Sequence, residues 1–172
     1  MLPVRPCEVP LSSRLRAYQD GTGFADCYVT EVPGAVTQAA FIEAFYTSRL
    51  FKVERTLLKY LAARPANDVD ARHLAEGKAQ LFSAWRVEDQ SVSELLLADF
   101  TGRTRSWLSA SPAAGADHGP RTQLYFGSAV VPRQRPGSTN PGMGWPFHAL
   151  LAFHRLYSRL LLRAASRRVQ SA

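Results

Sequence analysis

Four histidines, two cysteines and a scatter of carboxylates are the residues of this 172-residue chain whose types could do chemistry. His154 and Tyr157 lie one helical turn apart on a predicted C-terminal helix, where an imidazole and a phenol could bind a polar ligand group or move a proton. The same pair also suits a core role, with each polar atom hydrogen-bonded internally. His148 and His154 are six residues apart, about 120° around a helix, so they do not chelate one ion together. HxxxH, HExxH and CxxC patterns are absent, as are a GxSxG elbow, an SxxK pair and a glycine-rich phosphate loop. No metal and no cofactor are expected. Cys7 and Cys27 are too few for a disulfide framework and fit a reducing compartment; Cys27, beside Asp26, reads as a small packed hydrophobe.

A second set of candidates comes from strand-like segments. Trp85, Glu94, Asp99, Arg105, Trp107 and Tyr125 supply charged and aromatic groups. An Arg with a Trp suits an acidic, flat or lipid-like ligand through a charge-assisted hydrogen bond and apolar contact. Arg105 reads equally well as crossing to an acidic neighbour on a solvent face.

The elements that must position these groups follow from periodicity and punctuation. Residues 1–22, with Pro3, Pro6 and Pro10, show no sustained period and are predicted to be an irregular leader along the surface that does not carry the fold. A single domain is expected over 23–169. Phe24 to Val32 is rich in aromatic and β-branched residues and ends at Pro33-Gly34, predicting a strand. Thr37 and Ser48 are N-cap candidates for two consecutive short helices, or one kinked helix, over 38–63, the second with a stripe at Leu50, Val53, Leu57 and Leu61. Asp68 is read as capping a further turn closed by Gly77.

The period then changes. Segments 78–88, 94–101, 103–110 and 122–131 are predicted strands in successive antiparallel pairing. The tight turn at Thr101-Gly102 sets parity in its hairpin. Glu94, Leu96, Ala98, Phe100, Arg103, Arg105 and Trp107 share one face, and Leu95, Leu97, Asp99, Thr104, Ser106 and Leu108 the other. Neither face is cleanly apolar, which suggests a polar-lined interior. Loops 111–121 and 132–145 are rich in Pro, Gly and Ser, the second long enough for a lid. A final helix is predicted from Pro146 to about Arg168. Phe147, Leu150, His154, Tyr157 and Leu161 share one face, widened by Phe153 and Leu160, with Arg155, Arg159, Arg163 and Arg167 opposite.

This order of elements resembles the helix-grip fold of the START-like (SRPBCC) superfamily. The segments WRV at 85–87, ELLLAD at 94–99, LYFGSAVVP at 124–132 and FHRLYSRLLLRA at 153–164 look like a bacterial group within it whose function is not assigned. The resemblance spans roughly Phe24 to Arg168. It implies an α+β fold in which an antiparallel sheet curls around the long C-terminal helix and leaves a cavity between them. Five of that fold's seven strands are read here. The implied ligand is a small hydrophobic or amphipathic molecule, held by Trp85, Asp99, Arg105, Trp107, Tyr125, His154 and Tyr157. A cyclase- or hydrolase-type enzyme using a His154, Tyr157 and Asp99 set is the alternative.

Charge bears on partners. The net +7 is uneven: no Asp or Glu follows Asp117, while eight arginines do. The arginine stripe on the last helix reads as a solvated face, since nucleic-acid surfaces interleave basic groups with exposed aromatics and here the predicted aromatics lie opposite. Nucleic acid is not expected; docking to acidic headgroups or an acidic protein is the third reading. The sequence contains no secretory apolar run and no stretch of transmembrane length, so a cytoplasmic location is expected.

Overall fold

The computed structural model describes residues 2–19, 24–62, 65–114, 119–131 and 145–171, and the backbone alone over 57–62 and 145–152. Strand β1 (Arg5–Pro6) leads through a 3-10 turn (Arg14–Tyr18) to β2 (Phe24–Pro33). Helices α1 (Gln38–Tyr46), α2 (Arg49–Ala62) and α3 (Asp68–Ala75) follow. Next come β3 (Leu81–Phe82), β4 (Trp85–Gln90), β5 (Glu94–Asp99), β6 (Thr104–Pro112) and β7 (Arg121–Val130), and the chain ends in α4 (Trp145–Gln170). The class is α+β, with one open antiparallel sheet in the order β1-β2-β7-β6-β5-β4-β3. Strands β3 to β7 pair successively, as short connections dictate. Strand β2 then pairs with β7 along its whole length, from Phe24 opposite Val130 to Pro33 opposite Arg121.

The two strands not read from the sequence are the two-residue ones. The segment 78–88 is not one strand but a hairpin, with Phe82 opposite Trp85 and Ser83 in the turn at φ 53. A turn of this length needs left-handed backbone, which serine rarely advertises. Strand β1 lies inside the leader.

Capping explains the helix breaks. The Thr37 hydroxyl accepts from the Ala40 N–H, and the Ser48 hydroxyl from the Phe51 N–H, so α1 and α2 are separate helices. The cap of α3 is Asn67, not Asp68. Asn67 accepts from the Val69 and Asp70 N–H groups while the Asp70 carboxylate accepts from the Asn67 N–H. Asp68 instead pairs with Lys52 and Arg55 of α2. Leu50 of the predicted α2 stripe packs against the core, and the side chains of Leu57 and Leu61 lie outside the described residues. Phe51 is buried, whereas Val53 is exposed.

Both faces of the sheet are covered. On one, Phe41, Phe45 and Tyr46 of α1, Phe51 of α2 and Leu161, Leu162 and Ala165 of α4 pack against Leu95, Leu97, Leu108, Leu124 and Phe126. On the other, Val9 and Leu15 of the leader cover Cys27, Leu96, Trp107 and Ala129. The predicted hairpin parity holds: Leu97 faces Ser106 on the helix side, and Leu96 faces Trp107 on the leader side. The mixed faces have a cause beyond a polar-lined interior. Each face meets its own covering layer, so neither alternates against water.

The leader therefore helps to build the fold. Its β1 pairs with β2, Arg14 forms ion pairs with Asp89 and Glu94, and Leu15 is fully buried. Gly127 records how tightly it sits, since a Cβ there would stand 2.5 Å from Leu15 Cδ2 and 3.2 Å from Trp107. Among the described residues, no helix is long and apolar enough to cross a membrane.

Candidate functional site

Incomplete filling between the sheet and α4 leaves a cavity of about 170 Å³. Phe45, Phe51, Phe126 and Leu161 form its apolar walls. The polar groups are Glu54 of α2, Thr104 and Ser106 of β6, Ser128 of β7, and His154, Tyr157 and Ser158 of α4, with Trp85 at one side. Each arrives by parity. Ser106 shares the inward parity of Leu108, and Ser128 that of Leu124 and Phe126, while His154, Tyr157, Ser158 and Leu161 recur at spacings of one, three and four along the inward stripe of α4.

One polar feature beside the cavity is a hub at Asp26. Strand pairing sets Asp26 opposite Ser128, whose hydroxyl donates to Asp26 Oδ1 at 2.6 Å. Tyr28 donates to Oδ2 at 3.2 Å. His154 Nε2 lies 2.6 Å from Ser128 Oγ and 3.6 Å from Asp26 Oδ1. Burial alone would raise the Asp26 carboxyl, but the His154 ring beside it and hydrogen bonds from Ser128 and Tyr28 outweigh it and hold the group below its ordinary value. Burial and the Asp26 charge in turn push the Tyr28 phenol up to about 12.

Proton counting limits what this hub does. Ser128 has one proton, and with that proton donated to Asp26 its contact with His154 is an Nε2–H donating to the hydroxyl oxygen. A nucleophilic serine needs the reverse arrangement, and a relay places the carboxylate on the other ring nitrogen. The hub therefore holds His154 in place rather than activating Ser128.

A second pair faces the same cavity. Tyr157 donates to Glu54 Oε2 at 2.5 Å. Burial raises the Glu54 carboxyl, with the tyrosine bond only partly offsetting it. Burial and the neighbouring Glu54 push the Tyr157 phenol well above its usual range. Two further donors, Ser158 Oγ and Trp85 Nε1, are buried without a hydrogen-bond partner among the described residues.

The sequence candidates divide among three places. Trp85, His154 and Tyr157 line the cavity, and Arg105 borders it. Asp99 faces the helix side but sits at the hairpin end, where it accepts from Thr101 Oγ1 and from the Arg103 and Thr104 N–H groups. Burial opposes its ionisation, but these bonds prevail and lower its pKa. Asp99 and Trp85 also border an open depression of about 360 Å³ at the hairpin ends. That space is larger, but its neighbours Leu81 and Phe100 are exposed, so it is a surface hollow rather than an interior.

Arg105, Trp107 and Tyr125 belong to the leader face. Arg105 passes the cavity along β6, but its guanidinium lies 2.8 Å from Glu88 and 4.7 Å from the Tyr18 ring centroid. Trp107 and Tyr125 pack against each other in the core under the leader. Of the expected set, Arg105 borders the cavity with His154 while its guanidinium turns to Glu88; Trp107 and Tyr125 point to the leader face, because adjacent strand residues alternate, and Asp99 is held at the hairpin end. Asp26, Glu54, Ser128 and Ser158 were missed. Asp26 had a signal, a charge in parity with Tyr28 and Val32. Glu54 had none, since it is a lone carboxylate next to the exposed Val53.

On α4, Phe153 and Leu160 are exposed rather than widening the inner face, and Leu156 is exposed as well. Arg155 and Arg159 are also exposed and sit over the rings of Phe24 and Tyr28. His118 and the predicted lid at 132–144 lie outside the described residues, as do the side chains of Phe147, His148 and Leu150. No protein-family model, curated protein or solved structure matches the chain.

Proposed function

We propose that the protein binds a small amphipathic molecule, about the size of one aromatic ring with a hydrogen-bond acceptor, between the sheet and α4. The observation that carries this reading is an aromatic-walled cavity whose lining residues include Ser158 and Trp85, each with a buried donor that has no partner among the described residues. Unpaired buried donors are costly, and an acceptor on a ligand relieves that cost. Size argues for a compact occupant. Apolar cavities of about 150 Å³ accommodate benzene, whereas drug-sized ligands occupy roughly 300–1,000 Å³. The order of elements, with β1 and β3 completing seven strands, supports placing the chain with the helix-grip, START-like proteins.

Native mass spectrometry and thermal shift against single-ring ketones, aldehydes and esters, with long-chain fatty acids alongside, test the reading. Saturable binding of ring compounds, lost in Leu161→Trp, supports it; an absence of ring binders, or binding of fatty acids alone, refutes it.

Glu54 favours a second, enzymatic reading. A buried carboxyl with a raised pKa beside a ligand cavity is suited to donate a proton to a bound carbonyl. Turnover of a bound ring compound that Glu54→Gln abolishes without loss of binding would establish it, and unchanged ligand after prolonged incubation would exclude it for that compound.

A further inference from the structure

The two cysteines, 20 positions apart in sequence, meet on the leader face. The register that sets Arg5 opposite Val29 and Pro6 opposite Tyr28 continues to Cys7 opposite Cys27, where the Cys7 N–H donates to the Cys27 carbonyl at 2.9 Å. Both side chains join the same cluster, Cys27 buried and Cys7 partly open to solvent. Hydrogen-bonded antiparallel pairs hold their Cα atoms about 5.5 Å apart, inside the roughly 4.4–6.8 Å range of disulfides.

We propose that Cys7 and Cys27 form a reversible oxidation site, a dithiol that a hydroperoxide converts to a cross-strand disulfide. Cys7 is the attacking group because it is the accessible one. A hydrogen bond from the Cys27 thiol lowers its pKa, against burial and with help from Arg5, while the same contact and burial raise Cys27. The Cys7 thiolate attacks the peroxide O–O bond; an S–O bond forms, the O–O bond breaks, and the leaving oxygen takes a proton to give water. The Cys27 sulfur then attacks the Cys7 sulfenic acid. An S–S bond forms, the S–O bond breaks, and the hydroxide leaves with the Cys27 proton as a second water. Two thiols lose two electrons to one hydrogen peroxide, and a dithiol reductant returns them. The product ties the leader to β2.

The test exposes the full chain to stoichiometric hydrogen peroxide, followed by thiol counting in denaturant, intact mass and non-reducing electrophoresis. The expected result is loss of both thiols together, a mass lower by two hydrogens, a monomeric band, and reversal by dithiothreitol. Closing a loop of about 20 residues is expected to raise Tm by at least ~5 °C. In Cys27→Ala, Cys7 is expected to be trapped by a sulfenic-acid probe; in Cys7→Ser, Cys27 is expected to resist the same dose. Addition of oxygen without loss of hydrogen, a disulfide found only between molecules, or two thiols surviving in the wild-type chain would overturn the proposal. So would Cys27 reacting at the wild-type rate in Cys7→Ser.

Discussion

The two faces of one sheet have been packed to different degrees. Beneath the leader, contact is so close that a Cβ at position 127 would stand 2.5 Å from Leu15 Cδ2, which would have to shift to admit it. Beneath α4, helices rich in large aromatic side chains still leave about 170 Å³ of space. Buried donors without partners occur on both faces, Trp107 Nε1 on one and Ser158 Oγ on the other. Among the described residues, Ser158 belongs to the lining of a cavity and Trp107 does not. The contrast teaches that an unsatisfied polar group is a functional signal when it coincides with space, and a cost of packing when it does not.

Substitutions that enlarge or fill each face test that contrast. The largest effect is expected from Trp107→Ala, where loss of a fully buried indole should cost about 3–5 kcal/mol in urea unfolding. Ligand binding by the surviving folded fraction should be unchanged, and a parallel loss of affinity would break the separation of the faces. Gly127→Ala comes next. One methyl forced against Leu15 should cost about 1–3 kcal/mol. A neutral result would mean that the leader does not sit as described.

The helix face should show itself in the pH dependence of stability. Asp26 has a lowered folded pKa, so its contribution is complete above the ordinary value of 3.8 and is lost as pH falls through the folded value. Asp26→Asn should therefore flatten the acid limb. Glu54 has a raised folded pKa, so the folded state loses stability as pH rises from 4.5 through that higher value. Glu54→Gln should remove this loss, and denaturant midpoints across the acid range check both signs. The smallest effect is expected from Ser158→Ala. Removing an unpartnered hydroxyl should be neutral or stabilising by up to ~1 kcal/mol, while weakening an acceptor ligand.

What could be read from the sequence depended on how local its cause was. The Thr101-Gly102 turn, with Gly102 at φ 70, set the parity of β5 and β6 within a few residues, and that parity was readable. The caps at Thr37 and Ser48 were readable for the same reason. Strands of two residues have no period to detect, so β1 and β3 escaped. The second core was hidden because Val9 and Leu15 are isolated apolar residues among prolines and arginines. The candidate site was half legible: His154 and Tyr157 share a helix face, but Asp26 and Ser128 meet across 102 residues through a register that only the folded sheet defines. The thiol pair was hidden in the same way.

Xenon binding in a pressurised crystal addresses the unequal packing of the two faces most directly, because xenon enters apolar cavities without needing a specific polar contact. The expected result is a xenon atom among Phe45, Phe126 and Leu161, and none between Leu15 and Trp107. Xenon absent from the helix face, or present equally beneath the leader, would contradict the account.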